Sequence, residues 1–360
     1  MSRILISGYY GFGNTGDEAV LSVLLDMLSK KYGREAIAVM SADPERTAQD
    51  HNIRTIDRRS LRLVVAAVGT CDILVSGGGG LLQDITSNRS LYYYLGIIAL
   101  ARAYGKKVIY FANGIGPIRK PLNRWLVGQV SKKIAAISVR DPESAEELIS
   151  AGVDSCRITV TADPALLLRT AALSPLQIKL AKCGYNGSQK MIAVCPRVWN
   201  DFDKIADRLA KYSDYAIDNY GLQVLMIPFH FGPDLQACRK IAALMHNNPI
   251  VIDSRLTPEE IRALIGCCEF TLGMRLHSLI LSAAAGIPMA GMSYDKKVAQ
   301  FLFLTGQPEL PGFFTDEDSD YDYNGVFDRL INEKENLKEQ LSMRVPALTE
   351  KALLNELVLE

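Results

Sequence analysis

The 360-residue sequence lacks the features that mark membrane-spanning, secreted and fibrous proteins. No apolar run reaches the ~18 residues that a transmembrane helix needs. The first residues form a strand pattern and not the apolar segment of a signal peptide. Neither a low-complexity tract nor a short-period repeat occurs. We therefore expect a soluble cytoplasmic protein.

Metal and disulfide signatures are also missing. The seven cysteines form no CxxC pair and no Cys/His spacing typical of a metal site. An odd number of thiols, several of them in apolar runs, fits a reducing cytosol. No cluster of carboxylates offers a cation site. We expect no metal and no bound cofactor.

Net charge is absent as well, because 40 basic residues balance 40 acidic ones. A protein that binds nucleic acid usually carries a basic surplus. The composition therefore gives no reason to expect a nucleic-acid partner.

The sequence does contain alternating strand and helix patterns, which are typical of parallel βαβ units. Strand patterns fall at residues 3–7, 36–41, 72–76, 107–111, 136–140, 157–161, 191–196, 223–228, 249–253, 269–272 and 287–291. The pattern lapses over residues 173–190, which we interpret as a linker between domains 1–172 and 191–326. Residues 327–360 form a helical segment with a break at Pro346. This organisation predicts an α/β, GT-B-like fold: two doubly wound Rossmann-like domains that face each other across a cleft.

A glycine loop follows the first strand and ends in Asn14-Thr15-Gly16-Asp17. Glycines such as Gly13 allow the backbone to approach a ligand closely, and Asn14 can cap the next helix. We predict that Gly13 and Asn14 bind substrate and that Asp17 acts in the chemistry. The alternative is a tight turn in which Asp17 only caps the helix.

Four consecutive glycines, residues 77–80, follow another strand. Such a run has a high entropic cost, so something must approach its backbone closely. We predict that Gly78 and Gly79 bind substrate; the alternative is close packing of the strand on a helix. Arg140, at the end of a further strand, can bind a carboxylate or phosphate with its guanidinium fork. Alternatively, Arg140 forms an ion pair with Asp141 or Glu143.

The most informative stretch is Gly273-Met274-Arg275-Leu276-His277-Ser278, which joins a buried strand to a helix. The amino-terminus of a helix carries partial positive charge and unpaired N–H groups. Adding Arg275 and His277 there predicts an anion site with a titratable group beside it. Lys297, after the next strand, could supply another cation. The alternative for Arg275 and His277 is that they form only a structural polar pair at the start of the helix.

Residues 119–134 combine Leu122, Trp125 and Leu126 with five basic residues. This pattern fits either an interfacial helix on the inner face of an anionic membrane or a packed helix with basic ends.

In combination, these motifs resemble the polysaccharide pyruvyl transferase family, specifically the bacterial enzymes that modify secondary cell-wall polymers. The resemblance covers roughly residues 4–300 and rests on the stretches 11–18, 76–84, 138–141, 162–165, 273–278 and 293–297. It implies a role in cell-wall biogenesis and S-layer anchoring. It also implies phosphoenolpyruvate as the donor substrate and a lipid-diphosphate-linked disaccharide as the acceptor. Pyruvate would be attached as a 4,6-ketal of N-acetylmannosamine.

From the chemistry of that donor we assign His277 to proton transfer and Asp17 to the acceptor hydroxyl. Arg140, Arg275 and Lys297 would bind the donor's anionic groups. Two rivals remain: a nucleotide-sugar glycosyltransferase of the same fold, and a binding protein without catalytic activity.

Overall fold

Aliphatic and β-branched runs form parallel strands throughout the chain, as their composition favours. The computed structural model describes residues 3–85, 87–182, 184–185, 187, 189–199, 201–310 and 323–360. The chain divides into two units, Met1–Leu167 with Leu348–Glu360, and Leu168–Ala347. Strands and helices alternate in both units, so the predicted α/β class with two doubly wound sheets is confirmed.

The first unit contains a seven-stranded parallel sheet in the order β3-β2-β1-β4-β5-β6-β7. Its strands are β1 Ile4–Ser7, β2 Ile37–Ser41, β3 Arg54–Asp57, β4 Ile73–Gly77, β5 Lys107–Asn113, β6 Ala136–Val139 and β7 Ile158–Val160. Because β1 pairs with both β2 and β4, the strand order reverses between β1 and β4. Ligands of such sheets bind at the carboxyl ends of the strands beside this switch point.

Helices connect these strands: α1 Thr15–Tyr32, α2 Pro44–His51, α3 Leu61–Thr70, α4 Asn88–Ala103, α5 Pro121–Ser131 and α6 Pro142–Ser150. Proline begins α2, α5 and α6, where its missing N–H costs nothing. The side chains of Asp43, Ser60, Ser87 and Asp141 cap helices in this unit. Strand β1 is fully buried, as a central strand covered on both faces should be.

The second unit contains a five-stranded parallel sheet in the order β10-β9-β8-β11-β12. Its strands are β8 Met191–Cys195, β9 Gln223–Met226, β10 Ile250–Val251, β11 Cys268–Gly273 and β12 Met289–Gly291. The helices are α7 Leu173–Lys182, α8 Phe202–Tyr220, α9 Pro233–Leu244, α10 Pro258–Ile265, α11 Leu276–Ala284, α12 Lys296–Thr305, α13 Tyr323–Asn332 and α14 Lys334–Leu353. Here the switch point lies between β8 and β11.

The segments between and after the sheets differ from the sequence prediction. The stretch interpreted as a linker, residues 173–190, begins with α7, and its positions 183, 186 and 188 lie outside the described residues. The predicted helix break at Pro346 is wrong, because α14 continues through this residue. Because proline has no backbone N–H, the helix lacks the hydrogen bond that another residue would donate at this position.

The last residues of the chain belong to the first unit. Asn355 is fully buried, and its Oδ1 accepts hydrogen bonds from Ser138 Oγ at 2.7 Å and Thr161 Oγ1 at 2.9 Å. Its Nδ2 donates to the carbonyl of Ala162 at 3.1 Å. These bonds satisfy polar groups at the ends of β6 and β7, which explains why the segment folds onto this sheet.

Candidate functional site

The loop between β1 and α1 positions Asn14 and Asp17 at the carboxyl edge of the first sheet. Gly11 and Gly13 have φ angles of 79° and 74°, a region that favours glycine. Asn14 caps α1: its Oδ1 accepts from the N–H of Gly16 at 3.2 Å, and its Nδ2 donates to Asp17 Oδ2 at 2.6 Å. Because Asp17 is also buried, the cap fixes its carboxylate in one position.

The glycine run packs directly against α1. A Cβ atom on Gly78 would lie 2.1 Å from Val20 Cγ1, and one on Gly79 would lie 2.3 Å from Asp17 Oδ1. A Cβ on Gly80 would meet nothing within 4 Å. The close packing of strand on helix that the sequence offered as the alternative is therefore present at Gly78 and Gly79, and substrate binding by these two glycines stays a prediction. Gly79 also leaves the space that the Asp17 carboxylate occupies.

Arg58, which follows β3, holds the glycine loop from its other side. Its Nη1 donates to the carbonyl of Gly8 at 2.8 Å and to the hydroxyl of Tyr94 at 3.2 Å. Its guanidinium carbon lies 5.0 Å from the ring centre of Phe12 and 4.5 Å from that of Tyr93. Cation–π contacts of this kind stabilise a partly buried arginine. The sequence did not predict this role.

Asp84, at the end of the glycine run, ties it to the start of α5. Its carboxylate accepts from the N–H groups of Arg119 at 2.8 Å and Lys120 at 2.9 Å, and from Asn123 Nδ2 at 2.9 Å. Burial acts to raise the pKa of Asp84, but these three hydrogen bonds more than offset it and the pKa is lowered. Asp84 is thus a structural carboxylate.

Arg140 lies at the carboxyl end of β6, where the sequence predicted it, and 9% of its side chain is exposed. Its Nη1 lies 2.7 Å from Asp163 Oδ2, and its Nε lies 3.6 Å from Asp141 Oδ2. Burial acts to lower the pKa of Arg140, but the carboxylates of Asp163, Asp141 and Asp17 reverse the effect and raise it. Arg140 is therefore firmly charged. The ion pair with Asp141 was one of the sequence alternatives, whereas the shorter one with Asp163 was not foreseen.

Arg275, at the start of α11, is held by a buried carboxylate on α9. Its Nε and Nη2 donate to Asp234 Oδ2 at 2.9 Å and Oδ1 at 2.7 Å, and Asp234 is fully buried. Asp234 Oδ2 also accepts from the N–H of His230 at 2.8 Å. This two-pronged pair fixes the geometry of the turn that leads to His277.

A second arginine, Arg197, lies on the other side of the same switch point, just after β8. Its Nη1 bonds to the hydroxyl of Tyr294, and its backbone N–H points to Met274 Sδ at 3.2 Å. Its guanidinium carbon is 4.4 Å from the Tyr294 ring centre and 5.1 Å from that of Trp199. Burial lowers the pKa of Arg197, and the positive charge of Arg275 acts in the same direction.

His277 and Lys297 follow neighbouring strands. Strands β11 and β12 pair side by side, with Gly273 opposite Gly291. His277 is the second residue of α11, and Lys297 is the second residue of α12. Both side chains are half-buried. Each therefore lies in the first turn of a helix, where the partial positive charge favours anions.

The predicted residues thus fall into two groups. Asp17, Gly13, Asn14, Gly78, Gly79 and Arg140 surround the carboxyl edge of the first sheet, whereas Arg275, His277 and Lys297 lie at that of the second. Sequence reasoning missed Arg58, Asp163, Arg197 and Asp234. Arg197 carried the same signal as Arg140, an arginine directly after a buried strand.

No group of histidine, cysteine, aspartate and glutamate side chains among the described residues could hold a metal ion. Within the same residues, no helix combines the length and apolarity that crossing a membrane requires.

Helix α5 exposes part of its apolar side. Leu122 and Trp125 are 61% and 57% exposed, whereas Val127 is buried in the core of the unit. Arg124 is engaged within the protein, because its Nη2 donates to the carbonyl of Ile118 at 2.6 Å. The exposed basic residues beside the apolar pair are Arg119, Lys120, Lys132 and Lys133.

Two doubly wound parallel sheets, each with charged groups at its switch point, define a GT-B-like protein. Solved structures share this fold. HepE from Anabaena, in complex with UDP and glucose, is 14% identical, with a TM-score of 0.62 over 100% of this chain and 98% of its own. The UDP-GlcNAc 2-epimerase from Neisseria meningitidis, bound to UDP-GlcNAc, is 13% identical, with a TM-score of 0.64 over 100% and 99%.

The family model for polysaccharide pyruvyl transferases matches residues 14–296. The chain therefore belongs to the polysaccharide pyruvyl transferase family, a family of transferases. The amylovoran biosynthesis protein AmsJ of Erwinia amylovora is 21% identical over 86% of this chain and 87% of its own length. The stretch that the family model matches includes Asn14, Asp17, Arg140, Arg275 and His277, and it ends one residue before Lys297.

Proposed function

We propose that this transferase moves pyruvate from phosphoenolpyruvate to a sugar, as a 4,6-ketal, and releases phosphate. The proposed acceptor sugar is N-acetylmannosamine in a lipid-diphosphate-linked cell-wall disaccharide. The observation that carries the donor assignment is the carboxyl edge of the second sheet. There Arg275, His277 and Lys297 lie in or beside the first turns of two helices that follow adjacent strands.

The charge of the donor suits this edge. Phosphoenolpyruvate carries a phosphate and a carboxylate, so its site needs two cationic or N–H-rich elements. The first turns of α11 and α12 supply N–H groups, and Lys297 adds a point charge. Arg275 uses Nε and Nη2 on Asp234, so its Nη1 is the group that we assign to the donor. Arg140 is proposed as a further substrate-binding cation.

The reaction needs one acid and one base. We assign His277 to protonate C3 of the donor, which gives C2 oxocarbenium character that the first sugar hydroxyl attacks. The second hydroxyl then displaces phosphate and closes the ketal. Each hydroxyl loses one proton: one restores the acid and the other leaves with phosphate. Asp17 is the proposed base, and fixed cations stabilise the departing phosphate.

Replacing His277 with alanine tests the proton-transfer role. We expect turnover to fall by about 10²–10⁴-fold, the usual contribution of general acid–base catalysis. The affinity for phosphoenolpyruvate should change little, because the helix N-terminus and Lys297 remain. His246→Ala is the matched control, since this histidine of the same unit is 68% exposed and its ring pairs with Asp214 and Asp218 of α8 and not with a residue of the proposed site. Near-parental turnover of His277→Ala would remove His277 from the chemistry.

Ligand-dependent thermal stability distinguishes the donor from a nucleotide sugar. A ligand that binds the native protein alone raises its melting temperature with concentration. We expect phosphoenolpyruvate to do so and UDP not to. Stabilisation by UDP alone would favour the nucleotide-sugar glycosyltransferase.

We also propose that residues 119–134 contact the cytoplasmic face of an anionic membrane, where a lipid-linked acceptor would lie. Exposed Leu122 and Trp125 would enter the interface beside basic residues. Leu122→Ser with Trp125→Ser should reduce co-sedimentation with vesicles that contain phosphatidylglycerol. Leu61→Ser is the control, because Leu61 is an equally apolar, 75% exposed residue elsewhere on the unit. Unchanged sedimentation of the double variant would contradict this contact.

A further inference from the structure

Two arginines flank the switch point of the second sheet. Arg197 follows β8 and Arg275 ends the turn after β11, and these strands are paired with Cys195 opposite Gly273. Switch points are where ligands of doubly wound sheets bind. Both arginines are half-buried, and 17% of the Arg275 side chain is exposed. The two arginines differ in the groups that neutralise their positive charges.

Arg275 has its own carboxylate, and Arg197 does not. Asp234 receives two hydrogen bonds from Arg275, at 2.9 Å and 2.7 Å. In the part of the chain that the structure describes, the side-chain partners of Arg197 are the Tyr294 hydroxyl and two aromatic rings. No carboxylate there lies within ion-pair distance of Arg197. The two arginines that flank the switch point are therefore accompanied by one buried carboxylate, that of Asp234.

Even a half-buried cation without a counter-ion loses part of its hydration at a cost, and a second cation nearby raises that cost. Burial and the charge of Arg275 both lower the pKa of Arg197, because both disfavour its charged form. An anionic ligand at the switch point would offset this cost. The fork of a guanidinium fits a phosphate or carboxylate group through two parallel hydrogen bonds.

We propose that Arg197 binds an anionic group of the donor, the phosphate or the carboxylate of phosphoenolpyruvate, and that Tyr294 positions its guanidinium. This assignment rests on the proposed donor. It adds to Arg275, His277 and Lys297 a cation that is not already committed to a protein carboxylate.

The structure provides a reporter for this site. Trp199 lies beside Arg197, with its ring centre 5.1 Å from the guanidinium carbon and 4.8 Å from the ring centre of Tyr294. The sequence contains one other tryptophan, Trp125, which is exposed in the other unit. A Trp125→Phe background therefore leaves an emission signal from Trp199 alone.

In this background, phosphoenolpyruvate, inorganic phosphate and pyruvate are each titrated by Trp199 emission and by calorimetry. Arg197→Met should weaken phosphoenolpyruvate binding by roughly 10-fold or more, as expected for a lost charge-assisted hydrogen bond. Arg197→Lys should recover only part of this affinity, because a point charge cannot replace the fork. Tyr294→Phe should have a smaller effect. If Arg197→Met loses the same affinity for inorganic phosphate, Arg197 binds the phosphate group of the donor. If it loses the same affinity for pyruvate, Arg197 binds the carboxylate.

Arg239→Met is the control for the loss of one positive charge, because Arg239 is exposed on α9 of the same unit. Melting temperatures identify variants that fail to fold. If Arg197→Met is one of them, the affinities of Arg197→Lys and Tyr294→Phe for phosphoenolpyruvate are compared with that of the parent instead. Parental affinity of a folded Arg197→Met protein overturns this inference alone. If the parent protein itself does not bind phosphoenolpyruvate, the proposed function fails, and this inference with it.

Discussion

Replacing Gly79 with alanine should displace the Asp17 carboxylate. The new Cβ would lie 2.3 Å from Asp17 Oδ1, which no real contact allows. The backbone at Gly79 also has φ of 75°, a conformation that costs a residue with a Cβ about 1–2 kcal/mol. Movement of Asp17 would also weaken its hydrogen bond from Asn14, worth about 1.5–3 kcal/mol for a charged group.

Because the hydrogen bond is weakened and not wholly lost, these terms together predict a loss of about 2–4 kcal/mol in the free energy of unfolding. For a unit of this size, each kcal/mol lowers the melting temperature by about 2–4 °C. We therefore expect a decrease of roughly 4–16 °C in scanning calorimetry. If Asp17 acts as the base, a displacement of about 1 Å should also lower turnover by about 100-fold.

Gly80→Ala is the matched control, since a Cβ there meets nothing within 4 Å and its φ lies outside the left-handed region. It should alter stability by no more than about 0.5 kcal/mol. Equal melting temperatures for the two variants would refute the packing explanation. A destabilised Gly79→Ala protein with parental turnover would remove Asp17 from the chemistry.

Two further predictions concern buried carboxylates. Asp84→Asn should be less stable than the parent at neutral pH. Because the pKa of Asp84 in the folded protein lies below 3.8, the difference in stability should shrink as the pH falls below that value. A difference in melting temperature that stays constant with pH would contradict this. Asp234→Asn should destabilise the second unit by about 3–5 kcal/mol, because it leaves half-buried Arg275 without its fully buried carboxylate partner. The double variant Asp234→Leu with Arg275→Met should lose less stability than Asp234→Asn. A loss for the double variant that equals the sum of the losses of its two single variants in calorimetry would contradict the pairing.

Local sequence patterns predicted most of the fold, because central strands of parallel sheets are continuous apolar runs. Strand β3 was missed for the opposite reason. Its residues Arg54, Thr55, Ile56 and Asp57 are mostly polar and only partly buried at the edge of the sheet. The helix through Pro346 was missed because tertiary packing can override a local break.

The candidate site was predictable where a residue's role depends on its neighbours in sequence. Asn14 caps the helix that it precedes, and His277 lies in the helix turn that its motif indicates. Long-range partners were not predictable. Asp234 lies 41 residues from Arg275, and Tyr294 lies 97 residues from Arg197. No local pattern links residues so far apart.

Phosphate release from phosphoenolpyruvate tests the central claim most directly. It is measured with and without a synthetic lipid-diphosphate disaccharide that contains N-acetylmannosamine, and the acceptor is analysed by mass spectrometry. We predict acceptor-dependent phosphate release and an acceptor that gains one pyruvyl ketal. An acceptor that gains no pyruvyl ketal from phosphoenolpyruvate but gains a sugar from a nucleotide sugar would contradict the proposed function.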